Sequence, residues 1–223
     1  MFSQDLLGHL IFLFGEMYKT RTFIVFEGIE GSGKSTHALS LIKKLKSLKV
    51  PCVYLREPGG SKEAEDIRNF LLNNTNKTFD SLTDTLLYLA ARNENFLKKI
   101  KPFYKKKVII CDRFIDSTLA YQHYGLGVKK NVINFINKEI TGTMKVDYTF
   151  LMYLNVDKSI SRISDRKKLN RYDKFKKSFY EKVQDGFIKI SNKNKSKYMI
   201  IDSSKKFETN HTIIFNQVKK LIK

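Results

Sequence analysis

Three groups of residues in this chain have the types and spacing to handle phosphate. In the first, Gly28, Gly33, Lys34 and Ser35 give the pattern G-x-x-x-x-G-K-S of a phosphate-binding loop, with Gly31, Ser32 and Thr36 completing it. Glycine lets backbone N–H groups close around an anion with no Cβ in the way. Lys34 would reach the β- and γ-phosphates of a nucleotide, and the Ser35 hydroxyl would ligate magnesium. In the second group, the apolar run Val108 to Cys111 delivers Asp112 and Arg113. The carboxylate suits magnesium, directly or through water, and the guanidinium could clamp a phosphate bidentately. A structural Asp–Arg pair is the alternative. In the third, Arg162, Arg166, Lys167, Lys168, Arg171 and Lys174 crowd around Asp165 and Asp173 with little hydrophobic pattern. Such a segment is expected to be mobile, either closing over phosphates or forming a solvated loop.

A second kind of chemistry is written at helical spacing. Tyr88 and Arg92 are four apart and share a face, which suits a flat carbonyl-bearing base: stacking on the ring, hydrogen bonds from the guanidinium. An ordinary helix-surface contact is the alternative. Ser117 and Tyr121, and Thr118 and Gln122, form two more polar rows directed at one cavity.

The elements that must position these groups alternate between strand and helix. Thr22 to Phe26, Cys52 to Leu55, Lys107 to Cys111, Val146 to Asn155 and Tyr198 to Ile201 are short apolar runs, as strands buried on both faces read. Between them, Ala38, Leu41, Ile42, Leu45 and Leu48 recur at helical spacing. Ser61 caps a helix whose Ala64, Ile67, Phe70 and Leu71 face inward, and a longer helix to Lys99 carries Leu82, Leu86, Leu89 and Ala90. Val183 to Ile190 and Ile213 to Leu221 are the last two. The predicted fold is a three-layer α/β sandwich around a five-stranded parallel sheet. In such a sheet ligands sit beyond the strands' carboxyl ends, which draws the turn Arg56-Glu57-Pro58-Gly59-Gly60 toward the site.

At 223 residues, one domain is expected from residue 20 to 223, with a basic flap near 160–174. Met1 to Lys19 reads as an extension outside the core or as a misassigned start before Met17, with a targeting role left open. Its apolar part, Leu6 to Phe14, is too short to span a bilayer, so no membrane association is expected. The formal net charge of +20 would by itself suggest nucleic acid. It is, however, spread as Lys among Asn, which favours a solvated surface plus polyphosphate-handling sites over a nucleic-acid partner. Cys52 and Cys111 lack metal-ligand spacing and read as core thiols in a reducing, cytoplasmic compartment.

With these stretches in place, the chain resembles the thymidylate kinase family of nucleoside monophosphate kinases from about Thr22 onward. The match rests on five blocks in order: FEGIEGSGKST, LREPGG, LLYLAARNE, ICDRFIDSTLAYQ and SRISDRKKLNRYDKF. The resemblance implies transfer of the ATP γ-phosphoryl group to dTMP with magnesium, in the route to dTTP, by a homodimer. It implies that Glu30 approaches the sugar 3′-hydroxyl and that Arg113 grips the acceptor phosphate. Tyr88 would stack on thymine while Arg92 bonds it. Ser117, Thr118 and Gln122 would lie near base and sugar with Glu57 and Pro58 beside them, and Tyr121 would disfavour a ribose 2′-hydroxyl. Because the phosphate loop carries no arginine, the basic segment becomes the source of transition-state cations, making Arg162, Arg166 and Arg171 lid residues as in the bacterial-type enzymes. Tyr88 stands where Phe is usual, and a tyrosine ring stacks equally well.

Overall fold

The computed structural model describes residues 21–73, 79–165 and 170–223. Met1 to Lys19, and with them the expected extension, lie outside the described residues, as do Arg166, Lys167 and Lys168 of the basic segment.

Five strands form one all-parallel sheet: β1 (Phe23–Glu27), β2 (Cys52–Arg56), β3 (Val108–Asp112), β4 (Tyr148–Tyr153) and β5 (Tyr198–Asp202), in the order β2-β3-β1-β4-β5. β1 sits at the centre and all five of its residues are buried, which is why its sequence is apolar without alternation until Glu27. Its side chains divide between the two faces. Ile24 and Phe26 join Leu41 and Leu45 of α1 (Lys34–Ser47) and Ile214 and Val218 of α7 (Phe207–Ile222) in one core layer. Phe23 and Val25 join Leu55, Ile109, Cys111 and Phe96 in the other. Burying one such side chain is worth about 1.5–3 kcal/mol, so the two layers anchor the strand whose end bears the phosphate loop.

The other long helices among the described residues are α2 (Lys62–Asn73), α3 (Ser81–Asn95), α4 (Lys130–Thr141), α5 (Val156–Ser164) and α6 (Lys177–Asn192). Two details depart from expectation. Phe70 is 39% exposed rather than inward, its ring lying against Phe79. Along α3 only Leu89 of the apolar row is buried, whereas Leu82 and Leu86 are 45% and 46% exposed and Ala90 is also outside. The cause is that the inward face of α3 is polar. Asp84, Thr85, Arg92 and Asn95 are buried there, so the apolar row looks the other way.

Register then assembles the site. Pairing sets Phe26 opposite Asp112 and Asp112 opposite Arg56, so the carboxyl ends of β1, β2 and β3 open at one level. Past β3, Ile115–Thr118 makes one helical turn that widens into a π-helical turn over Leu119–Gly125. Among the described residues, no helix is long and apolar enough to cross a membrane.

Candidate active site

The loop after β1 is shaped for an anion. Gly28 has φ +138, and a Cβ there would come within 2.4 Å of the Met152 carbonyl oxygen, so only glycine fits. Gly31 and Gly33 also take positive φ. α1 then starts with no acidic residue of its own in its first turn, so the positive end of its dipole is turned to the loop. Lys34 is buried and its Nζ donates to the carbonyl of Ile29 at 2.7 Å and to Ser32 Oγ at 3.3 Å. Burial, and then the neighbouring Arg113, pull its pKa down to about 7.

Ser35 Oγ donates to the Asp112 carboxylate, to which the Tyr54 hydroxyl also donates at 3.3 Å. This hydroxyl–carboxylate pair is a set of hard oxygen donors, which fits magnesium. No group of three or more His, Cys, Asp or Glu side chains able to hold a metal exists among the described residues. A magnesium ion held by Ser35 and Asp112 would draw its other ligands from phosphate oxygens and water, as this ion commonly does.

Arg113 follows in a left-handed conformation, φ +70, unusual for a side chain of its size. Its backbone N–H donates to the Phe26 carbonyl at 2.9 Å. Its Nη1 donates to the Gly28 carbonyl at 2.9 Å and to Ser117 Oγ at 3.1 Å. Its Nη2 donates to Glu30 Oε1 at 2.8 Å and to the Tyr121 hydroxyl at 3.2 Å. Burial opposes a charge on Arg113, but the tyrosine and then the carboxylates of Glu30 and Asp112 raise its pKa above the ordinary value. Glu30 is in turn held below the usual carboxylate range by Arg113 and Lys34 against the cost of burial, and it accepts from the Tyr121 hydroxyl.

What keeps this strained turn in place was not foreseen from sequence. Glu27, 1% exposed at the end of β1, accepts from the N–H groups of Phe114 at 2.8 Å and Ser117 at 3.2 Å through Oε1, and from Ser117 Oγ at 2.5 Å through Oε2. A charged residue ending an apolar strand just before Gly28 is the signal that could have found it. Burial first, and Asp116 second, push the Glu27 carboxyl up to about 8. The unfolded reference is 4.5, so between these pH values the folded chain keeps a proton that the unfolded chain has lost, and stability falls as pH rises through that window. Glu27→Gln removes the ionisation. Its unfolding free energy relative to wild type, from denaturant titrations at each pH, is expected to climb from about pH 5 to about pH 8 at up to about 1.4 kcal/mol per pH unit, and a pH-independent difference would refute the assignment.

On the other side, Arg92 is 3% exposed and fully braced. Nε donates to Glu57 Oε2 at 2.6 Å, Nη1 to Asn137 Oδ1 at 2.8 Å and Nη2 to the Phe114 carbonyl at 2.9 Å. Asn95 adds a bond to Glu57 at 3.2 Å. Arg68, which follows the LREPGG block, donates to the Pro58 carbonyl at 2.6 Å. Tyr88 meets Tyr172 edge to face, and Tyr172 meets Tyr121 in the same way.

These groups surround one cavity of about 740 Å3. Of the residues singled out in the sequence, Glu30, Gly31, Gly33 to Thr36, Glu57, Pro58, Tyr88, Arg92, Asp112, Arg113, Ser117, Thr118, Tyr121, Gln122 and Arg162 line it. Gly28 and Ser32 belong to the loop without lining the cavity. Arg162 lies over the loop, donating to the Gly31 carbonyl at 3.0 Å and to that of Ser203 at 3.3 Å. Arg171 does not join it there: it pairs with Asp84 of α3 and packs on Phe79 and Tyr172. Arg166 lies outside the described residues. One hollow thus offers a phosphate-loop end, a guanidinium facing it and an aromatic slot beyond.

The chain is similar to known proteins over most of its length. A family model described as thymidylate kinase matches residues 26–214. The chain is 40% identical over 203 residues to a thymidylate kinase of Aster yellows witches'-broom phytoplasma, covering 89% of this chain and 97% of that one. It is 39% identical over 190 residues to one from Ehrlichia chaffeensis, covering 83% and 91%. The crystal structure of thymidylate kinase from Ehrlichia chaffeensis superposes with a TM-score of 0.73 at 33% identity, over 90% of this chain and 99% of that one.

Proposed function

This chain belongs to the thymidylate kinase family, and we propose a division of labour within its cavity. The reaction is phosphorylation of dTMP to dTDP with the γ-phosphate of ATP. The ATP phosphates bind in the loop Gly28 to Thr36, and the dTMP phosphate binds at Arg113. The dTMP phosphate oxygen attacks the γ-phosphorus and the bond to the ADP leaving oxygen breaks. No general base is needed, because the acceptor phosphate is already an anion. Positioning and charge neutralisation carry the rate.

Lys34 spans the donor phosphates, and Arg162, reaching the loop from α5, supplies a cation over the transferring group. Magnesium, held by Ser35 and Asp112, would neutralise charge on the phosphates. Glu30 receives the sugar 3′-hydroxyl, Tyr121 closes the space that a ribose 2′-hydroxyl would need, and Tyr88 stacks on the base. Arg92, braced by Glu57 and Asn137, bonds the base edge, and Arg68 joins this side of the pocket. Arg171 is assigned to anchoring the end of the basic segment on α3, and Arg166 remains a lid candidate on the resemblance alone.

The observation that carries this reading is that Lys34 and Arg113 line the same cavity as Tyr88. A coupled assay of ADP release tests it. dTMP should outpace dCMP, dGMP, AMP and thymidine, and ATP turnover should not depend on DNA. Preference for another acceptor, or turnover driven by DNA, would overturn the substrate assignment.

We further propose that the enzyme is a homodimer joined through α3 and α4, which pack together. Leu82, Leu86 and Leu97 on or just past α3, and Phe135 on α4 at 66% exposure, leave an apolar surface uncovered. Leu86→Glu is expected to convert a dimer into monomers in light scattering, whereas an unchanged mass would exclude this face. The free thiols Cys52 and Cys111 support a reducing, cytoplasmic setting.

A further inference from the structure

We propose that Asp84 is a specificity-determining positioning residue. It fixes the Gln122 amide so that its oxygen faces the nucleobase, and so selects a pyrimidine whose ring N3 carries hydrogen. The inference rests on the dTMP assignment and adds the polarity of the base subsite to it.

Gln122 is 2% exposed and lines the cavity. Its amide could present either end to the ligand, and its neighbours decide which. Asp84, 1% exposed, is paired with Arg171 through one carboxylate oxygen and accepts from the Tyr172 hydroxyl at 2.7 Å through the other. A tyrosine hydroxyl has one proton, and this one is given to Asp84, so toward Gln122 its oxygen can only accept. Gln122 therefore faces two acceptors. It meets both with Nε2, donating to Tyr172 at 2.9 Å and to Asp84 at 3.3 Å. Both amide hydrogens are thereby used, and the oxygen is left to the cavity.

An acceptor in that position matches the N3–H of a thymine ring. It opposes cytosine, whose N3 carries a lone pair. A buried polar site meets the wrong partner with two like ends facing each other, which is the arrangement that discriminates most strongly between otherwise similar ligands. Asp84 itself is set one helical turn before Tyr88 and two before Arg92, so a single face of α3 carries the polarity setter, the stacking ring and the base-edge cation.

The test is kcat/KM for dTMP and for dCMP in wild type and three variants, with the ratio of the two as the readout. In Asp84→Asn the new amide can donate to Gln122, letting the Gln122 oxygen turn inward and its Nε2 face the base. The dTMP-to-dCMP ratio is expected to fall by about tenfold or more, with dCMP turnover rising in absolute value. Gln122→Met carries no polar end and should also lower the ratio, which keeps the proposal testable should Asp84→Asn fold poorly. Tyr172→Phe leaves Asp84 facing Gln122, and its ratio should stay within about threefold of wild type. A simple loss of packing would lower both substrates and leave the ratio alone. An unchanged ratio in Asp84→Asn and Gln122→Met, or an equal collapse in Tyr172→Phe, would overturn the role of Asp84. A wild type that itself fails to prefer dTMP would instead overturn the substrate assignment beneath it.

Discussion

Arg113→Ala is expected to lower kcat for dTMP phosphorylation by at least about a hundredfold, roughly 3 kcal/mol of transition-state stabilisation, as removal of a charge-stabilising donor does. The size follows from how much of the structure is committed to aiming this side chain. Its backbone is held at φ +70, a conformation that persists only where the surroundings enforce it. The Phe26 carbonyl and the Glu27 clamp on Phe114 and Ser117 do so here. The guanidinium is then fixed by four hydrogen bonds, to Gly28, Ser117, Glu30 and Tyr121. Alanine removes the cation and deprives Glu30 of its ion-pair partner beside the acceptor site. The KM for dTMP should rise while that for ATP changes little. Steady-state kinetics with each substrate varied check this, and near wild-type turnover would remove Arg113 from the mechanism.

Lys34→Met is expected to be about as severe, two to three orders of magnitude in kcat/KM for ATP. Lys34 is 6% exposed, and its ammonium lies against the Ile29 carbonyl and Ser32 Oγ within the loop. Burial and Arg113 depress its pKa to about 7, so the incoming polyphosphate supplies the negative charge that holds it protonated. Methionine keeps the length and apolar stem, which separates lost charge from lost packing. Retention of ATP affinity and turnover in this variant would refute the role assigned to the loop.

Much of this was readable in the chain because the relevant signals are local. The five strands announce themselves as apolar runs since a parallel strand is covered on both faces, and the phosphate loop is a short-range pattern of glycines fixed by φ and by the approach of Met152. The parts that could not be read depend on contacts across the fold. Asn137 braces Arg92 from 45 residues away, with nothing in its neighbourhood to mark it. Arg171 and Arg162 sit in one basic stretch, yet the fold sends one to Asp84 and the other to Gly31. The row Leu82, Leu86 and Ala90 resembles a core face, and only the packing of α3 reveals that its buried side is the polar one. Asp84 was within reach, because it continues the spacing of Tyr88 and Arg92 by one more turn. The π-helical turn at Leu119–Gly125 was not, since hydrogen bonds to the fifth residue leave no mark on side-chain pattern.

Two phosphate groups are proposed to meet in one hollow, one cradled by the loop around Lys34 and the other gripped by Arg113. Titration with an adenosine–oligophosphate–thymidine conjugate is the decisive measurement. One conjugate should displace both ATP and dTMP from wild type, and Lys34→Met and Arg113→Ala should each weaken its binding. A conjugate that competes with only one of the two substrates, or that binds both variants as tightly as wild type, would contradict it.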